Sequence, residues 1–122
     1  MQVRSVLVIE DSESLRLILN KILSKAGYQV LLAKGGAEAL EFLKLHKVHF
    51  IISDLDMPTG DGPSFLAFLR EKKVKIPTLI LTGYTEATVE NYASYGVTAL
   101  LHKPIEAHVI ESILKFLNPT AI

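Results

Sequence analysis

The sequence predicts an α/β domain of three layers, with helices on both faces of a doubly wound, parallel, five-stranded sheet. Three observations carry this expectation. Five short apolar runs alternate with five helical patterns along the chain. The runs are β-branched and apolar with little polar alternation, as in strands covered on both faces. A strand that follows a helix runs parallel to its predecessor, because the helix carries the chain back across the sheet.

Val6-Leu7-Val8-Ile9 is the first strand. Leu15, Ile18, Leu19, Ile22, Leu23 and Ala26 then recur at helical spacing, giving a helix with one apolar face that Gly27 closes. Tyr28 to Ala33 forms the second strand, Gly35-Gly36 a turn, and Ala37 to Leu45 a helix packed through Ala37, Leu40 and Leu43. Val48 to Ser53 is the third strand and Ser64 to Lys73 the third helix. Pro77 opens the fourth strand, Thr78 to Leu81, where it need donate no interior ladder bond. Glu86 to Tyr95 is a weaker helix ended by Gly96, and Thr98 to His102 is the fifth strand. Val109, Ile110, Ile113, Leu114 and Leu117 give the last helix its inward face, and Pro119 marks its end.

The chain has 122 residues, which fits one domain over residues 1–122. A hydrophobic content of 49% suffices for a core and excludes a disordered chain. The longest unbroken apolar run, Phe65 to Leu69, is far short of the roughly 20 residues of a membrane span. Only a brief apolar stretch precedes the acids Glu10 and Asp11, too little for a secretory leader, so a cytoplasmic protein is expected. The absence of cysteine excludes disulfides, thiolate metal sites and thiol catalysis. Thirteen basic and thirteen acidic side chains cancel, which argues against direct nucleic-acid binding.

Parallel sheets bind ligands beyond the carboxyl ends of their strands. Glu10-Asp11 follow the first strand, Asp54-Leu55-Asp56-Met57-Pro58 the third, Thr82-Gly83 the fourth and Lys103-Pro104 the fifth. Acids, a hydroxyl and an ammonium therefore gather on one edge. Two carboxylates ~4 Å apart at an effective dielectric of about 20 repel by roughly 4 kcal/mol, so the cluster calls for a cation or a retained proton. All-oxygen ligands favour Mg²⁺, which keeps open positions for phosphoryl oxygens.

Through these residues the chain resembles the receiver domain of two-component response regulators. Glu10-Asp11, Asp54 with Met57-Pro58 and Gly60-Asp61-Gly62, Thr82-Gly83 and Lys103-Pro104 carry the resemblance, in the family's order and over nearly the whole chain. It implies a flavodoxin-like strand order, 2-1-3-4-5. It implies that Asp54 accepts a phosphoryl group from a phosphohistidine on a sensor histidine kinase or a histidine phosphotransfer protein. Asp11 and Asp54 would bind Mg²⁺ with the backbone carbonyl of Asp56, and Glu10 would act through a metal-bound water. Lys103 would pair with the phosphoryl group, the Thr82 hydroxyl would swing toward it, Gly83 would keep the approach open, and the Lys103-Pro104 bond would be cis. The domain would catalyse only its own phosphorylation and dephosphorylation. Its output would be a change at the surface of the fourth helix, fifth strand and fifth helix, altering contact with a downstream protein or homodimerisation. One departure stands at Leu100, where the family often places an aromatic switch residue. Asp56 and Tyr84 occupy variable positions that in the family tune phosphoryl lifetime.

Blander readings also apply. Ser12 or Asp11 is an apt cap for the first helix, and Asp61 reads as a turn residue between glycines. The four histidines are dispersed and receive no site. A phosphatase of haloacid-dehalogenase type would use Asp54 and Asp56 but needs a later acidic pair that the chain lacks. A flavin carrier would need a phosphate-cradling first loop where Glu10-Asp11-Ser12-Glu13 stands. A receiver fold that no longer takes up phosphate is the remaining alternative, against which the intact set of site residues argues. No DNA-binding helix pair follows Pro119, so a stand-alone receiver or one cut from a longer protein is expected.

Overall fold

The computed structural model describes residues 3–56 and 61–118. Their elements run β1 (Ser5–Ile9), α1 (Glu13–Lys25), β2 (Gln29–Ala33), α2 (Gly36–Leu45), β3 (Phe50–Asp54), α3 (Asp61–Glu71), β4 (Thr78–Thr82), α4 (Val89–Tyr92), a 3-10 turn (Ala93–Tyr95), β5 (Val97–His102) and α5 (Ala107–Leu117). All strand pairings are parallel, in the order β2-β1-β3-β4-β5. Architecture and strand order are those expected.

The side-chain period of two splits each central strand between two cores. Leu7, Ile9, Ile51 and Ile80 face one side, where Ala39 of α2 and Leu66 and Leu69 of α3 cover them. Val6, Val8, Ile52, Leu79 and Leu81 face the other, against Leu19 and Leu23 of α1 and Val109, Ile113 and Leu117 of α5. Each such side chain contributes about 1.5–3 kcal/mol on burial, so these layers lock the register that aligns the strand ends. No helix among the described residues is long and apolar enough to cross a membrane.

Local chemistry sets the helix limits. The Ser12 hydroxyl accepts from the N–H of Leu15 and caps α1, as one of the two capping readings expects. Past its end, Gly27 adopts φ +98°, a left-handed geometry that favours glycine. The α4 region is shorter than the expected Glu86–Tyr95: Asn91 Oδ1 accepts from the Thr88 N–H and hydroxyl, which starts the helix at Val89, and it tightens into the 3-10 turn after Tyr92. Helix α3 runs Asp61–Glu71 rather than Ser64–Lys73. Asp61 is thus its first residue, not a turn residue. Pro63 is tolerated in a first turn because an N–H there would lack an intrahelical partner. Lys73 turns to φ +53°, which stops the helix before it. The strand pattern predicts that of Leu100 and Leu101 one is buried and one partly exposed; both are half-buried, on opposite faces, because β5 is an edge strand, covered less completely on either side. Met57, Pro58, Gly60 and Pro119 lie outside the described residues.

Candidate functional site

The connection after β1 leads to β2 on one side and the connection after β3 leads to β4 on the other, so a crevice opens beyond the carboxyl ends of these two paired strands. In register, Ile9 pairs with Ser53, Asp54 with Leu81 and Thr82 with His102. That alignment carries Glu10, Asp11, Asp54, Thr82 and Lys103 to one rim. Asp54 and Thr82 are the last residues of their strands rather than the first of the loops, so backbone pairing fixes both.

Glu10 and Asp54 are buried, whereas Asp11 is exposed. One carboxylate oxygen from each of Glu10, Asp11 and Asp54 lies within 4.8 Å of the others. The Ser12 N–H donates to Glu10 Oε2 at 3.0 Å, but the buried Oε1 accepts no hydrogen bond. Lys103 Nζ lies 2.9 Å from Asp54 Oδ1, 3.5 Å from Glu10 Oε1 and 3.8 Å from Asp56 Oδ2. The Asp56 N–H also donates to Asp54 Oδ1, at 2.9 Å. Among the described residues, the hydrogen bonds to the Asp54 carboxylate thus fall on Oδ1. The Lys103-Pro104 bond is cis, as expected.

Burial raises the Glu10 carboxyl from its ordinary 4.5 to about 7; the Ser12 N–H opposes this, and the neighbouring Asp11 and Asp54 carboxyls reinforce it. Burial would lower the Lys103 ammonium. The hydrogen bond to Asp54 and the charges of Glu10, Asp54 and Asp56 outweigh burial and raise it. An acid held near neutrality, beside a buried oxygen with no hydrogen-bond donor, marks a site with room for another cation.

The Asp56 side chain is a contact that residue spacing alone did not disclose. Its Oδ1 accepts from the Thr82 hydroxyl at 2.6 Å, and its Oδ2 accepts from the Gly83 N–H. The available signal was its place two residues after Asp54, just past the end of β3, where an aspartate carboxylate accepts readily from the N–H two residues on and so folds the chain back at the rim. Arg16 is a second such residue: Nη1 donates to the carbonyls of Glu10 and Asp11, at 2.8 and 2.9 Å, and fastens the acidic loop from the first turns of α1. Leu100 does not line the rim; it pairs with Ile80 and packs in the core beside α3.

The response regulator receiver domain model matches residues 6–115. The chain is 34% identical over 103 residues to the transcriptional regulatory protein PdtaR of Mycobacterium tuberculosis, covering 83% of this chain and 50% of that protein. It is 31% identical over 118 residues to the sensor protein EvgS of Escherichia coli, covering 96% of this chain and 10% of that protein. The chain thus spans half or less of the length of these curated relatives. The chemotaxis protein CheY4 of Vibrio cholerae superposes with a TM-score of 0.84 at 32% identity, covering 97% of this chain and 98% of that one. The match over nearly the whole sheet and the acidic rim that it includes lead to one assignment: the chain belongs to the receiver domain family of two-component response regulators, signalling domains that work between sensor kinases and downstream effectors.

Proposed function

We propose that residues 1–122 form a single cytoplasmic receiver domain in which Asp54 accepts a phosphoryl group from a phosphohistidine on a sensor histidine kinase or a histidine phosphotransfer protein. The observation that carries this reading is the convergence of Glu10, Asp11 and Asp54 within 4.8 Å, with Lys103 Nζ 2.9 Å from Asp54 Oδ1. The buried Glu10 Oε1 without a hydrogen bond, in an all-oxygen donor set, fits a hard divalent cation. Asp11, Asp54 and the Asp56 backbone carbonyl would hold Mg²⁺, with Glu10 acting through a bound water. Bound there, Mg²⁺ supplies positive charge against the developing charge of the phosphoryl oxygens.

Transfer forms a bond between an Asp54 carboxylate oxygen and phosphorus while the P–N bond of the phosphohistidine breaks. The bonding pair returns to the imidazole of the donor. Such transfer needs positioning and charge stabilisation rather than an acid or base. Lys103, already at the Asp54 carboxylate, is placed to follow the charge onto the phosphoryl oxygens. The Thr82 hydroxyl and Gly83 N–H supply further donors on the next strand. Slow hydrolysis ends the cycle: water bonds to phosphorus as the bond from the Asp54 oxygen to phosphorus breaks, releasing inorganic phosphate and the free carboxylate, and in both steps the group modified is the domain's own. The output is a shift of Thr82 and the loop after β4, felt at the face of α4, β5 and α5, where a downstream protein or a second copy of the chain binds. Leu100 lies on that route in place of an aromatic switch residue.

Incubation with acetyl phosphate and Mg²⁺, followed by intact mass, tests the reading. One added phosphoryl group is expected, absent in Asp54→Ala and strongly reduced when the metal is chelated. No adduct on the wild type, or an equal adduct on Asp54→Ala, overturns it.

A further inference from the structure

The Thr82 hydroxyl, the Gly83 N–H and the Lys103 ammonium form a donor cradle, and a carboxylate of this chain sits in it. Asp56 takes the first two donors with separate oxygens and stands 3.8 Å from the third. Thr82 is fully buried and is held by this contact, while the N–H of Tyr84 donates back to its hydroxyl oxygen at 3.1 Å. Two of these contacts are hydrogen bonds to an ionised group, the stronger kind.

We propose that Asp56 is an internal anionic competitor, a positioning residue whose carboxylate fills the donor cradle of the unphosphorylated domain and must leave before a phosphoryl group can engage Thr82 and Gly83. This rests on the phosphoacceptor reading of Asp54. The argument is one of exclusive occupancy. Thr82 has one hydroxyl proton and Gly83 one N–H, and each is already given to Asp56. A phosphoryl oxygen that takes either donor must displace Asp56, and the two anions would repel at that distance. Asp56 thus weakens the phosphorylated state relative to the resting one and holds Thr82 in its resting place.

The test uses Asp56→Asn and Asp56→Ala beside the wild type, with two readouts. The first needs no metal: the Gly83 amide proton, followed by NMR, moves upfield in both variants as its carboxylate acceptor is lost. The second is the affinity for fluoroberyllate, a stand-in for the phosphoryl group, in the presence of Mg²⁺. It tightens ~10-fold or more, the order expected when hydrogen bonds to an ionised group no longer have to be broken. The gain shrinks when Thr82→Ala is already present, since much of the competition runs through that hydroxyl. An unmoved Gly83 resonance, an unchanged or weaker affinity, or a gain of equal size in the Thr82→Ala background overturns the proposal. If neither the wild type nor the variants bind fluoroberyllate, the phosphoacceptor reading itself falls, and this inference with it.

Discussion

Replacing Glu10 by glutamine should remove most of the pH dependence of stability between about pH 5 and 8 in the metal-free protein. The buried Glu10 carboxyl titrates near 7 when folded and near 4.5 as its ordinary value. Because its folded pKa is raised, its contribution to stability is fully present below about 4.5 and is lost as pH rises through about 7. Linkage turns that shift into about 2 to 3 kcal/mol lost from pH 5 to pH 8, part of it shared with the neighbouring carboxyls. The assay is urea unfolding with chelator present, at several pH values, on the wild type and Glu10→Gln. The wild type should weaken steeply across that window and the variant much less. Millimolar Mg²⁺ should offset the loss at the alkaline end, because the ion binds the deprotonated acids and that binding is favoured as pH rises. Parallel profiles for the two proteins, or a metal-free wild type that gains stability toward pH 8, would refute the placement of Glu10 as a buried acid whose charge is not fully compensated by Lys103.

Lys103→Ala should leave Mg²⁺ affinity equal or tighter by calorimetry, since it removes a cation from among the acids, yet slow phosphorylation by acetyl phosphate at least ~10-fold through lost charge stabilisation; a severe loss of metal affinity would contradict the role given to the ammonium. Arg16→Ala, which frees the carbonyls of Glu10 and Asp11 without touching a carboxylate, should weaken Mg²⁺ binding several-fold in the same titration. Ile113→Ala should cost about 2–5 kcal/mol in urea unfolding by opening a cavity between α5 and the sheet.

The layers and the rim were legible in the amino-acid sequence because both rest on local signals. Runs such as Val6 to Ile9 read as covered strands, and the acids of Glu10-Asp11 and Asp54 stand immediately beyond or at a strand end. What escaped depends on relations across the fold. The Asp56 contact to Thr82 spans 26 residues and exists only in the β3–β4 register. That Leu100 and Leu101 are both half-buried, neither fully covered, follows from β5 lying at an edge, which periodicity does not report. Asp61 reads as a turn residue because it stands between Gly60 and Gly62, although a first helical turn accommodates Asp61, Gly62 and Pro63. The short α4 turns on the Thr88–Asn91 cap, a local pairing that overrides the longer apolar pattern from Glu86 to Tyr95.

The most direct measurement is the position of the acceptor itself. After reaction with acetyl phosphate and Mg²⁺, borohydride reduces an acyl phosphate to an alcohol, so peptide mass mapping reads the modified aspartate as homoserine. The account predicts homoserine at residue 54 alone. Homoserine at Asp11, Asp56 or Asp61 in its place would contradict it.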